Sequence, residues 1–173
     1  MMSDAANYSA HEQLTSGRPI EIRALRPDDE AELVAAVDRT SAQSLYRRFF
    51  GVRRNFSESE IAYFVNIDFA NHVALVAVAE EDGRAVIVAG GRYVVMRPGT
   101  AEVAFAVIDD YQGQGIGAAL MRHLVVIARA AKLKELVAEV LPDNKPMLKV
   151  FEKCGLPLTT SREDGVLHVV LQL

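Results

Sequence analysis

Tryptophan is absent from this chain of 173 residues, and cysteine occurs once, as Cys154. A lone thiol excludes an intramolecular disulfide, so the core alone must hold the fold together. No apolar run approaches the ~18 residues that a membrane span needs. The first seventeen residues are polar and lack the apolar centre of a signal peptide, so the cytoplasm is the expected location. Excess positive charge is also missing. The formal net charge is −4, which speaks against a general nucleic-acid binder, since such a protein usually needs a basic face. His11, His72, His123 and His168 are scattered, with no partner at metal-ligand spacing, so no metal is expected.

What is present is ordinary globular material. Half of the residues are hydrophobic and 24% are charged, enough to bury one sizeable core. The length fits a single domain. Met1 to Gly17 reads as a flexible tail and residues 18–173 as the domain. The segment "IEIRAL" alternates as a strand does. Pro27 then opens a helix with Leu33, Val34 and Val37 on its apolar face. A second helix is expected from about Ser41 to Phe50. A third starts at Ser57, where Glu60 completes a capping-box pattern. After Asn71 the texture becomes β-branched, with turn signals at Asp82-Gly83 and at Arg97-Pro98-Gly99. These predict an antiparallel meander ending in a strand over 101–108. A helix over 115–131 carries Ile116, Leu120, Leu124 and Ile127 on one face. The strand "ELVAEVL", a helix from about Asn144 to Lys153 and a last hairpin follow. This order predicts an α/β protein with a mixed, largely antiparallel sheet and helices on both faces.

The most informative stretch is "AEVAFAVIDDYQGQGIGAALM". Gln112-Gly113-Gln114-Gly115-Ile116-Gly117-Ala118 opens a helix. Glycines at a helix start let a ligand approach backbone N–H groups that have no partner inside the helix, and the dipole adds to this anion site. Gly113, Gly115 and Ala118 also match the G-x-G-x-x-A dinucleotide fingerprint. That fingerprint needs its first glycine directly at the end of an opening βα strand, and here Ile108 to Gln112 intervene.

The other pattern, Q-x-x-G-x-G, is filled by Gln112, Gly115 and Gly117. Here the sequence resembles the GNAT superfamily of acetyltransferases. The likeness spans roughly residues 20–173 and is strongest from Glu102 to Gly155, where "PDNKPMLKVFEKCGL" is similar to the family's second signature. The segments "SLYRRFFG" and "AEVAFAV" resemble the catalytic domains of bacterial protein-lysine acetyltransferases of the Pat type, which modify acyl-CoA synthetases.

The resemblance implies acetyl-CoA as the donor, with no metal. It implies that the backbone of Phe105, Ala106 and Val107 pairs with the pantetheine arm, and that the N–H groups from Gly113 to Ala118 hold the pyrophosphate. Asn144 would bond the arm; its alternative role is a helix cap, and the two can coexist. An attacking amine must be neutral, so a base near the thioester must accept a proton. Glu102 is the first choice, in an apolar strand before the coenzyme turn, where the Pat-like enzymes use a glutamate. Glu139 on the next strand is the second. Phe151 stands where many members carry a tyrosine that protonates the leaving thiolate; Tyr111, water or direct thiol release are the substitutes. Cys154 reads as a structural thiol rather than an acyl carrier.

The expected activity is direct acetyl transfer in a ternary complex to a protein lysine, with an acyl-CoA synthetase as the partner. Asp109-Asp110 and the cluster Arg47, Arg48, Arg53 and Arg54 are expected to border the acceptor. A small-molecule amine acceptor, a non-catalytic acyl-CoA sensor and a dinucleotide oxidoreductase stay open as alternatives, and so does the oligomeric state.

Overall fold

The computed structural model of the protein describes residues 4–44 and 57–173. One eight-stranded sheet organises them, in the order β1-β2-β3-β4-β5-β6-β8-β7. The strands are β1 (Ser9–Gln13), β2 (Pro19–Ala24), β3 (His72–Glu81), β4 (Arg84–Arg97), β5 (Thr100–Val107), β6 (Glu135–Val140), β7 (Leu158–Glu163) and β8 (Val166–Gln172). The helices are α1 (Glu30–Asp38), α2 (Glu58–Val65), α3 (Ile116–Ala130) and α4 (Lys145–Lys153). Every neighbouring pair is antiparallel except β5 with β6. The mixed, largely antiparallel sheet and the meander β3–β5 are as the sequence predicts. The β3–β4 turn is closed by Asp82 and Gly83 with φ of 51° and 78°, the left-handed pair that a two-residue hairpin needs.

The larger core lies between the sheet and α3. Ile116, Leu120, Leu124 and Ile127 are all buried there, as their 3.6-residue spacing requires. Tyr93, Leu136 and Phe151 pack into the same cluster. On the opposite face, α1 and α2 lie over a smaller cluster built on Leu25, Val76 and Ile87. The Ser57–Glu60 capping box forms, with Ser57 Oγ accepting from Glu60 N at 3.1 Å and Glu60 Oε1 accepting from Ser57 N at 3.4 Å. Of the second predicted helix, residues 42–44 are helical; the rest, with "SLYRRFFG" after Ser44 and all four cluster arginines, lies outside the described residues.

The flexible tail is a correction. Residues 9–13 form β1, which pairs with β2 from Ser9↔Arg23 to Gln13↔Pro19. No β1 residue is fully buried, so the strand leaves no apolar alternation to read. Its anchors are polar and distant in sequence. Tyr8 bonds His123 Nδ1, and Glu12 accepts from His123 Nε2 at 2.8 Å and from Arg122 at 3.2 Å. Ala5 and Leu14 add buried apolar contact at either end.

Candidate active site

The single parallel junction makes the site. β5 and β6 pair only from Thr100↔Glu135 to Glu102↔Val137, and beyond that the ladder stops. β6 stays paired with β8 as far as Val140↔Leu167, and β5 stays paired with β4. The two strands therefore splay and open a notch in the sheet. Which backbone groups face it follows from strand parity. Ile108 N donates to Val88 O on β4 at 3.0 Å. Counting back by twos, Ala106 and Ala104 also face β4, while Val107 and Phe105 turn their N–H and C=O groups to the notch; Val103 faces the same way, but the last rung of the seam, Glu102↔Val137, engages its N–H and leaves only its C=O open. Of the three residues expected to pair with a ligand arm, Ala106 thus contributes its side chain rather than its backbone.

A cleft of about 790 Å³ runs from this notch between the start of α3 and the start of α4. Phe105, Ala106, Val107, Gln112, Gly113, Gly115, Ile116, Gly117, Ala118, Glu139, Asn144 and Phe151 all line it. The N-terminus of α3 carries no side-chain cap and no acidic residue in its first turn. Its first internal bond is Ala119 N to Gly115 O, which leaves the N–H groups of Ile116, Gly117 and Ala118 without helical partners. Gly113 and Gly115 take φ of 77° and 89°, where side chains are strained. Gly117 has a different reason. A Cβ there would meet Val150 Cγ2 of α4 at 3.3 Å, so its bareness lets the two helices lie this close. An uncompensated positive helix end in a cleft floored by unpaired strand backbone fits a pyrophosphate joined to an amide-bearing arm.

Gln112 and Gln114 stabilise the loop. Gln112 Nε2 donates to Val107 O and to Ser44 Oγ, both at 3.0 Å. Gln114 does not border the cleft: its carbonyl accepts from Thr15 N at 3.2 Å, and its side chain accepts from Ser16 Oγ at 3.3 Å. Asn144 caps α4, its Oδ1 accepting from Met147 N at 3.4 Å, so the cap role is real and its amide N–H groups remain for the cleft. Sequence reasoning missed Lys145, Lys149 and Lys153. Their four-residue spacing puts three exposed cations along the cleft side of α4.

Glu102 is half-buried on the sheet face opposite Phe105, at the closed end of the notch, with Val94 and Val137 as its cross-strand neighbours. Glu139 shares that face on β6; it is exposed, and its Oε1 lies 3.6 Å from His168 Nδ1. The row holding Glu102 continues through Val94 to His72 on β3. His72 is buried, and its Nε2 lies 3.0 Å from Arg92 Nη1. Burial pushes the His72 imidazole down to about 4, and the Arg92 charge pushes the same way. The ring is therefore neutral at physiological pH and accepts from Arg92. The guanidinium also stacks 4.9 Å from the Phe64 ring. This cluster was not visible in the sequence.

Phe151 is buried against Phe105, with ring centroids 6.2 Å apart. Tyr111 is no free substitute for a tyrosine there. Its hydroxyl donates to Glu81 Oε2 at 2.7 Å and contacts Arg18, and burial raises its pKa. The expected acidic rim is committed too: Asp110 pairs with Arg39 at 3.0 Å and Asp109 accepts from Ser41 N at 2.9 Å. The Cys154 thiol donates to Phe151 O at 3.0 Å. Among the described residues, no three His, Cys, Asp or Glu groups gather as metal ligands.

The chain is similar to known proteins in sequence and fold. The profile of the acetyltransferase (GNAT) family matches residues 39–156. Acetyltransferase Pat of Mycolicibacterium smegmatis is 35% identical over 147 residues, covering 83% of this chain and 43% of its own length. Acetyltransferase PA5475 of Pseudomonas aeruginosa is 33% identical over 164 residues, covering 94% of this chain and 87% of its own. The chain thus spans less than half of the first relative and most of the second. Among solved structures, the GNAT domain of S. lividans PAT superposes with a TM-score of 0.86 at 33% identity, covering 95% of this chain and 97% of that one. With a family profile matched over more than half of its length and relatives a third identical over most of it, the chain belongs to the acetyltransferase (GNAT) family.

Proposed function

We propose that this protein moves an acetyl group from acetyl-CoA to the side-chain amine of a lysine on a partner protein, by direct attack within a ternary complex in the cytoplasm. One observation carries the reading: the uncapped, acid-free start of α3 faces a cleft whose floor strand has lost its neighbour. In this reading Ile116, Gly117 and Ala118 hold the pyrophosphate through their N–H groups, over the turn that Gly113 and Gly115 shape. Phe105 and Val107 bond the pantetheine arm, with the Val103 carbonyl beside them, and Asn144 adds an amide donor. Lys145, Lys149 and Lys153 offer charge to the terminal phosphates.

Bound acetyl-CoA supplies an acyl group activated as a thioester, with a thiol of pKa roughly 8.5 as the leaving group. Glu102 takes the proton that the attacking amine must lose, directly or through water. Glu139 is the alternative base. A strand N–H facing the notch stabilises charge on the thioester oxygen. With phenylalanine at 151 and the Tyr111 proton committed to Glu81, thiol release uses water rather than a side-chain acid.

The likeness to Pat-type enzymes supports a protein lysine as the acceptor and an acyl-CoA synthetase as its carrier. The test incubates the protein with radiolabelled acetyl-CoA, candidate synthetases and free amines, then locates modified lysines by mass spectrometry. One lysine labelled well above background is the expected result. Efficient labelling of a polyamine or amino acid, with no protein labelled, selects a small-molecule acceptor. Tight binding without turnover on any acceptor selects a sensor.

A further inference from the structure

A second cavity, of about 120 Å³, lies under α1 and α2 on the face opposite α3. Its walls are apolar, with Leu33 and Val37 from α1 and Ile61 and Phe64 from α2. Ser44, Ala104 and Ala106 line both this chamber and the cleft, so the two voids meet across the small side chains of β5.

Two features show that the space is kept open. First, α1 has no fully buried residue; Leu33, Val34 and Val37 overhang the chamber, and Ala36 packs against the core clusters of the sheet. Second, Gly90 sits bare on the chamber floor in the middle of β4. Its φ lies outside the left-handed region. A Cβ there would touch only Leu75 O, at an ordinary 3.7 Å. Its neighbour Gly91 is different, because a Cβ there would meet the Phe105 ring at 2.7 Å. Packing thus demands glycine at 91 and not at 90. Glycine weakens a strand interior and marks places where a ligand comes close.

We propose that this chamber receives the acyl group of the donor, and that the enzyme uses straight-chain acyl-CoA thioesters of three to four carbons as well as acetyl-CoA. The proposal rests on the donor site described above. The volume is that of about four waters at ~30 Å³ each, well beyond the need of one acetyl methyl. The chamber runs along β5 from Ala104 towards Ile108, away from Glu102, so the tail and the attacking amine occupy opposite ends. It does not suit a cationic acceptor, because Arg92 borders it and would repel an ammonium. The reaction keeps its balance. The amine nitrogen bonds to the carbonyl carbon, the carbon–sulfur bond breaks with its electron pair on sulfur, and one amine proton ends on the thiol. The products are an acylated amine and free coenzyme A.

The test needs no acceptor in its first arm. Acetyl-, propionyl- and butyryl-CoA are titrated calorimetrically into the wild-type protein and Gly90→Val. Butyryl-CoA is expected to bind the wild type about tenfold tighter than acetyl-CoA, from two more buried methylenes. Gly90→Val fills the floor and should cut that butyryl-to-acetyl preference about tenfold, in affinity and in kcat/KM alike. Gly90→Ala, which adds one methyl, should lower it by a smaller factor and serves if the valine variant does not fold. Butyryl-CoA binding no tighter than acetyl-CoA, or a preference untouched by either variant, overturns the proposal. So does a rise in acceptor KM with thioester affinities unmoved, which makes the chamber an acceptor slot. If acetyl-CoA itself does not bind, the donor-site reading falls together with this one.

Discussion

Glu102 and Glu139 stand on one face of the sheet, on the two strands that border the notch. Their surroundings differ. Glu139 is exposed beside His168, whereas Glu102 is half-buried at the point where the strands part. Glu102→Gln keeps the shape and removes the proton acceptor. It should lower kcat by ~10²–10⁴ while acetyl-CoA affinity stays within a few-fold. Steady-state kinetics beside calorimetry check this, and the reverse ranking, with Glu139→Gln the damaging change, would transfer the role. His72 permits a second prediction, about pH. Its folded pKa of about 4 lies below the ordinary histidine value of 6.5. The unfolded chain therefore binds more protons between those values, and stability falls as pH falls through them. Roughly 2 kcal/mol should be lost between pH 7 and 5 from this group. Denaturant midpoints at the two pH values measure the loss. His72→Gln, which can still accept from Arg92, should flatten that part of the dependence.

Among the elements, α3 does two jobs with one sequence. Its C-terminal turns fill the core, and its first turn presents N–H groups to the cleft. Gly117→Leu should separate these jobs. The new side chain enters the cleft and crowds Val150, so acetyl-CoA affinity should fall at least ~100-fold and the thermal shift on adding it should vanish. The fold should lose little, because a better helix former regains up to ~1 kcal/mol over glycine. A preserved thermal shift in this variant would remove the pyrophosphate from α3. The helix was legible in the sequence because its period and its glycines are local signals, and the three hairpin turns were legible for the same reason. β1 was not, since its residues are mostly polar and its side-chain anchors include partners more than a hundred residues away. The His72–Arg92 pair escaped notice because it depends on the register of β3 against β4, which includes a bulge between Ala77 and Val78. The contacts of Gln114 with Thr15 and Ser16 were not legible, because a loop glutamine next to glycines looks the same whether its side chain faces a ligand or the N-terminal segment.

At the scale of the molecule, the sheet is two antiparallel halves joined by a three-residue parallel seam. The seam has a consequence for how the free protein breathes. A donor lying along β5 would act as the missing rung of the ladder and close hydrogen bonds that the chain leaves open. Amide hydrogen exchange reads this directly. Without donor, the amides of Phe105 and Val107 should exchange fast, although they lie deep in a central strand, a place where protection is normally highest. The amides of Ala104 and Ala106 face β4, and that of Val103 is held by the last rung of the seam, so these three should be slow from the outset. Acetyl-CoA should slow the first two and barely alter the other three, printing an every-second-residue change in protection along the open end of one strand. Equal slowing of all five would mean that the ligand tightens the whole sheet instead of occupying its gap.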